Sequence, residues 1–328
     1  MNSISVPKRN GFSILLNAVG PFLGLLLVLG LFSLSSEVRP YLFTGANFKI
    51  VLVQTVIVAV GALGMTMIIV SGGIDLSVGS VVALTSVLGA NLILKGCSPA
   101  ITLLLTVFAG GIIGLLNGTL IASLRMMPFI VTLGMMGVAR GTAKWLSGSQ
   151  TVNPPDTAIN HIMKLSSPNT FLPLPMGVWI AIGLAIVMSV VLKQTIFGRY
   201  VFAIGSNEAT ARLCGIRVQW QKIFIYTLAG LFFGLAGLLQ LSRLTQGDPS
   251  VAAGLELDII AAVVIGGASL SGGTGSIAGS MIGALIMAVL RNGSNQMGWP
   301  TYMQEIIIGT VIILAVGLDR LRQSRGKA

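Results

Sequence analysis

Ten apolar runs fill this chain, and only two long polar stretches, 147–175 and 193–222, interrupt them. A span of the hydrocarbon core needs about 20 apolar residues in helical form, because no water is present there to satisfy a backbone in any other shape. The runs lie at 14–34, 50–71, 76–94, 101–123, 128–146, 176–192, 223–242, 256–266, 275–290 and 302–318. The eighth is short, and the third and ninth each follow closely on the run before. Of the 328 residues 54% are hydrophobic and 9% charged, against roughly 25% charged in a soluble domain. The expectation is an all-α, polytopic membrane protein with about ten transmembrane helices, some broken or short, forming one domain over 1–328.

The formal net charge of +11 follows from the membrane, since Lys and Arg gather in cytoplasmic segments. No basic stripe interleaved with aromatics is present, so nucleic acid is not an expected partner. An even number of spans puts both termini on one side. With both inside, twelve of the 20 Lys and Arg face the cytoplasm: Lys8, Arg9, Arg125, Lys193, Arg199, Arg212, Arg217, Lys222, Arg320, Arg322, Arg325 and Lys327. The loop 193–222 is then cytoplasmic and 147–175 lies outside. Run 14–34 is longer than a signal-peptide core and reads as a retained first helix. Cys97 and Cys214 fall on opposite sides, which leaves no disulfide framework.

Inside the central loop, NEATARL at 207–213 carries the marks of a short helix. Asn207 caps it, Glu208 sits in the first turn, Arg212 near the end, and Gly215 stops it. The outer stretch holds Pro154, Pro155, Pro168, Pro173 and Pro175 and reads as a rigid, non-helical surface. Its His161 has no second ligand nearby and reads as solvent-exposed.

One motif occurs twice. Gly72, Gly73, Asp75, Leu76, Ser77 and Gly79 match Gly266, Gly267, Ser269, Leu270, Ser271 and Gly273 at an offset of 194. Six spans separate the copies, so both face the same side. Irregular backbone at membrane depth is tolerated only where protein buries it or a cavity is lined by it. Asp75 therefore has two readings: an N-cap shared with Ser77, or a group in a solute path. Glu256 and Asp258 read as outer caps of the eighth span. Glu305 stands on the side of Arg291, as an ion pair or as a snorkelling interface residue. Glycines recur at every fourth position at 110, 114 and 118, at 230 and 234, and at 275, 279 and 283; such rows let helices approach closely, within the bundle or between subunits. No catalytic motif, Walker lysine or metal-ligand cluster is present. No catalytic residue, metal site or cofactor of the chain's own is expected.

Three stretches carry a resemblance: GGIDLSVGSVVAL at 72–84, GRYVFAIGSNEATARLCGI at 198–216 and ELDIIAAVVIGGASLSGGTGSIAGSMIGALIM at 256–287. Together they resemble the permease subunits of bacterial ribose-type ATP-binding-cassette sugar importers, whose members include ribose, xylose, arabinose, galactose and autoinducer-2 permeases. The resemblance covers essentially the whole chain and is greatest to the ribose branch. It implies the importer transmembrane-domain fold in the bacterial inner membrane, a permease homodimer in lipid, a cytoplasmic ATPase that binds the ATP and Mg, and a periplasmic sugar-binding protein. It also implies that Asn207, Glu208, Ala209, Arg212, Leu213 and Gly215 form the ATPase-coupling helix, with Glu208 and Arg212 making its polar contacts. The path is expected at Gly72, Gly73, Asp75, Ser77, Gly266, Gly267, Ser269 and Ser271. The outer loops at 37–49, 147–175 and 244–256 are placed to receive the binding protein. The rival from the residues alone is an ion-coupled secondary transporter, for which Asp75 is the single suitable mid-span acid. A channel would leave the capped cytoplasmic helix unexplained.

Overall fold

In the computed structural model, residues 11–165 and 173–325 are described. Lys8, Arg9, Pro168 and Lys327 lie outside them. Each of the ten apolar runs forms a helix: α1 (Gly11–Ser33), α3 (Gly45–Val70), α4 (Val78–Leu94), α5 (Pro99–Ser123), α6 (Pro128–Ser147), α7 (Met176–Gln194), α10 (Val218–Leu244), α11 (Leu255–Ile265), α12 (Ile277–Gln296) and α13 (Thr301–Arg325). Between them stand three shorter helices: α2 (Arg39–Leu42), α8 (Ile196–Ser206) and α9 (Glu208–Leu213). By length and composition alone, α3, α5, α7, α10 and α12 can each cross a membrane unaided.

α3 is the axis of the bundle. Past Lys49 it is apolar on all sides but for Gln54, Thr55 and Thr66, and 94% of its spanning window is buried among neighbouring helices, as a helix without an extended polar face must be. The glycine rows explain how the others close around it. A Cβ at Gly114 would overlap the Tyr226 carbonyl and stand 3.0 Å from Gly230 Cα, and one at Gly118 would stand 2.9 Å from Ile223 Cα. The row on α5 therefore packs against the row on α10, backbone to backbone, inside the subunit. Gly279 and Gly283 do the same for α12 against Gly266 and Ala262 of α11. Gly275 does not continue that row, because it precedes α12 and packs on Val70 and Ala268.

α11 has 11 residues, about 16 Å at 1.5 Å per residue, roughly half a span. The missing half is an irregular segment, 245–254, that runs down into the bundle. At its upper end Gly247 bridges to Val152 and packs on Ala90 and Ser86 of α4. At its lower end the Ala252 carbonyl reaches Gly79, in the first turn of the same helix, about 10 Å deeper. Arg140 of α6 holds it there, donating to Pro249 O at 2.9 Å and Val251 O at 2.7 Å. A guanidinium supplies the donors that the buried carbonyls would otherwise lack.

The central loop differs most from expectation. Residues 196–206 are helical, and the exposed connector is correspondingly short. Gly198, Val201 and Ile204 form the buried face of α8, a spacing of three that the glycine and Arg199 obscure in the sequence. Among its described residues after Ser147, where α6 ends, the outer stretch up to Pro175 is non-helical apart from a 3-10 turn at Ala158–His161. It lies back on α10, where Ser242 Oγ accepts from Met163 N at 3.1 Å and donates to Ile159 O at 2.6 Å. His161 is exposed, with Asp156 3.8 Å away.

Candidate functional site: a polar cavity and a tethered helix

The described structure brings two sets of polar residues together at opposite ends of α10. Lys222 and Arg243 mark them, 21 residues and so about 30 Å apart along the helix.

At the Arg243 end, a cavity of about 300 Å³ opens among α3, α10, α11, α12, α13 and segment 245–254. Its polar walls are Gln54, Gln240, Arg243, Asp258, Arg291, Asn295 and Gln304. The irregular segment supplies Ala252 and Ala253, so backbone that departs from helix does line a cavity, as its depth requires. Asp258 is 2% exposed and receives Arg291 Nε on Oδ2 at 2.6 Å. Two expectations are corrected by this contact. Asp258 does not cap α11 from outside, because Gly254 holds the N-cap position and Asp258 lies a full turn inside. Arg291 pairs with Asp258 rather than with Glu305, which is exposed. An ion pair at this depth survives because each charge replaces lost hydration for the other. Asp258 Oδ1 and Gln54 Oε1 are buried and have no hydrogen-bond partner in the protein. Two acceptors thus stand in residues of the cavity wall, closed to water in this conformation, among carboxamides and guanidinium groups that can donate. Such a surface exchanges hydrogen bonds with a neutral polyhydroxylated solute.

The sequence holds one weak signal for this cavity: Gln54 and Gln240 stand alone in otherwise apolar spans. Sequence reasoning passed over them because neither repeats nor pairs along the chain.

The expected path residues gather elsewhere, at the Lys222 end. The second glycine motif meets the end of α3, just before the first, with Gly273 N donating to Val70 O at 2.8 Å. Asp75 is buried, and its Oδ1 accepts from Ser77 N at 2.7 Å and from Ser77 Oγ at 2.6 Å, while Asn117 Nδ2 reaches Oδ2 at 3.3 Å. Its carboxylate holds the N-cap residue of α4 in place rather than capping the helix itself, since Ser77 makes no side-chain cap. Gly73 is packed beneath Tyr226, whose Oη would stand 2.5 Å from a Cβ there. Gly72, Gly267 and Ser271 are exposed and Gly266 and Ser269 buried. None of these eight residues lines the 300 Å³ cavity.

Beside them α9 projects. Asn207 Oδ1 accepts from Thr210 N at 2.9 Å. At the other end Ile216 N bonds Ala211 O and Gly215 N bonds Arg212 O, with Gly215 at φ +82°, the double closure that a left-handed glycine permits. Glu208 receives Arg212 on Oε1 and Lys222 on Oε2, each at 2.6 Å. Partial burial raises the Glu208 pKa, but the hydrogen bonds from Arg212 and Lys222 outweigh it and hold the carboxyl below its ordinary value. α9 is thereby tied to α10, and Ile204, Ala211 and Val218 pack beneath it. Leu213, at the tip, is 88% exposed.

A polar cavity near one end of a bundle of apolar helices and a short capped helix near the other are the two features a membrane transport subunit can use. The chain belongs to the family described as branched-chain amino acid transport system / permease component, which matches residues 47–316. Relatives include the ribose import permease protein RbsC of Bacillus subtilis (strain 168), 39% identical over 317 residues, covering 97% of each chain. RbsC of Escherichia coli (strain K12) is 39% identical over 299 residues, 91% of this chain and 93% of the relative. The L-arabinose ABC transporter permease protein AraH of Azospirillum brasilense is 35% identical over 298 residues, 91% of this chain and 87% of the relative. No solved structure matches the chain. The protein is a membrane-embedded transport subunit of the ATP-binding-cassette importer class, and permease subunits of this class are not themselves enzymes.

Proposed function

We propose that the chain carries a monosaccharide, ribose or a related pentose or hexose, across the bacterial cytoplasmic membrane, and that it works as a homodimer in lipid. The cavity beside Arg243 carries this reading, because its acceptors and donors suit a ring of hydroxyls and its charges are already paired or basic. An ion-coupled carrier needs an acid free to take up and release its proton, and Asp75 is engaged on both oxygens.

The energy comes from a cytoplasmic ATPase subunit that binds ATP and Mg and docks on Asn207 to Gly215, with both termini of the permease on that side. Glu208 is committed within the chain to Arg212 and Lys222. It stiffens the helix, while Leu213 and the outer edge of Arg212 make the contact. The cavity end, with stretch 147–175, faces a periplasmic sugar-binding protein. Gly72, Gly73, Asp75, Ser77, Gly266, Gly267, Ser269 and Ser271 then stand at the inner end of the path.

Purification of the tagged chain from its native membrane tests the assignment, beside a Leu213→Asp variant. An ATPase subunit copurifies with the original and is lost from the variant. A chain that comes alone and moves sugar in liposomes without ATP contradicts it.

A further inference from the structure

The repeated glycine motifs had no role in the cavity, and their geometry gives them another. Three backbones converge where α3 ends: the turn at Gly72, the turn at Gly272 and Gly273, and Gly205 in the last turn of α8. Gly205 has no room for a side chain. A Cβ there would overlap the Val70 carbonyl oxygen and stand 2.6 Å from Gly273 N, the two atoms already joined by a 2.8 Å hydrogen bond. From the opposite direction, a Cβ at Gly272 would stand 2.7 Å from Gly205 O, and one at Gly273 3.1 Å from Ser206 Cα. Gly72 closes the third side, 4.0 Å from Gly205 Cα by the same measure. All of these neighbours are backbone atoms, which cannot rotate aside as a side chain would.

The elements joined here matter. Val70 ends α3, and Gly272 and Gly273 connect α11 to α12. Those three helices supply Gln54, Asp258, Arg291 and Asn295 to the cavity. On the other side of the junction α8 continues through Asn207 into α9. A displacement of α9 is therefore delivered at one point to the ends of three cavity-lining helices.

We propose that Gly205 is a close-packed joint that transmits movement of the α8–α9 segment to both glycine turns, and that the joint stays closed through the transport cycle. The proposal rests on the importer reading above and adds the route by which α9 acts on the cavity. It also accounts for the motif occurring twice: each copy provides one side of the same socket. Gly205 is a positioning residue and touches no solute.

The test compares the complete importer carrying Gly205→Ala, or Gly183→Ala as a control in open space within α7, after reconstitution with its ATPase and binding protein. Expected for Gly205→Ala are intact assembly and basal ATP hydrolysis, with sugar uptake lowered at least about fivefold, the lower end of typical coupling effects, and with loss of ATPase stimulation by the binding protein. Undiminished uptake by the assembled variant overturns the proposal.

A second arm does not depend on that variant folding. With Cys97→Ser and Cys214→Ser as background, Ser206→Cys and Gly273→Cys place two Cβ atoms 3.4 Å apart, next to the range of about 3.5–4.5 Å that a disulfide spans. Uptake by the reduced variant is the reference, lowered by the Cβ that Gly273→Cys adds at φ +76°, and a joint that stays closed gives the same uptake when oxidised. Arrest on oxidation, relieved by reductant, shows that the contact must open and contradicts the proposal. The unmodified complex separates the two readings, because failure of ATP-driven sugar uptake there speaks against the importer itself.

Discussion

At the scale of single residues, the proposed solute cavity carries polar groups that cost stability. Gln54 Oε1 and Asp258 Oδ1 are buried acceptors without partners, and each such group costs about 1–3 kcal/mol. Gln54→Leu removes one of them in an apolar span. It is expected to raise thermal stability by about 1 kcal/mol while lowering sugar uptake, and a melt in detergent beside a transport assay checks both. A variant that loses stability and keeps transport contradicts the role given to Gln54. Arg291→Met acts in the opposite direction, since it leaves the Asp258 carboxylate buried and unpaired at a cost of about 3–5 kcal/mol. The double variant with Asp258→Asn is expected to recover most of that loss in the same melt. These residues were the least legible in the sequence. Asp258 and Arg291 are 33 positions apart, and nothing along the chain shows that α11 and α12 fold back to face each other. Both were read instead by their nearest helix end.

At the scale of elements, the sequence was more open. Every apolar run became a helix, because run length and apolarity leave a backbone in hydrocarbon no other choice. The caps of α9 were equally plain, since Asn207, Gly215 and the Glu208–Arg212 pair act within a few residues of their own position, whereas the bond from Lys222 to Glu208 spans 14 positions. The glycine rows announced close contact but not with whom, and the partner of the α5 row proved to be the row on α10. α8 was hidden because its buried face is only three residues wide. Segment 245–254 was read as an outer loop, and its descent depends on Arg140 more than a hundred positions away. One prediction belongs at this scale. The Glu208 carboxyl has a folded-state pKa below its ordinary 4.5. Its contribution to holding α9 on α10 is thus complete above that value and is lost as pH falls through the folded pKa. A nitroxide on the exposed native Cys214 is expected to report unchanged mobility across the neutral range and rising mobility below pH 4.5. Increased mobility already at neutral pH contradicts the Lys222 tether.

At the scale of the whole molecule, the two functional ends are joined through α3, α10 and the α11–α12 pair. α3, buried over 94% of its spanning window, runs between them. Its N-terminal half lines the cavity and its last carbonyl sits in the glycine junction. The halves of the repeat, six spans apart in the sequence, come together around Gly205, at the inner end of the proposed path. On the proposed function, this permease moves a sugar inward only when an ATPase works on α9. The most direct measurement is uptake of labelled ribose, and in parallel of arabinose and fructose, into liposomes holding the permease with its ATPase and binding protein, with ATP inside or withheld. The account predicts accumulation of at least one of these sugars above the outside concentration with ATP, none without it, and its abolition by Leu213→Asp. Accumulation driven by an ion gradient in the absence of ATP would contradict it.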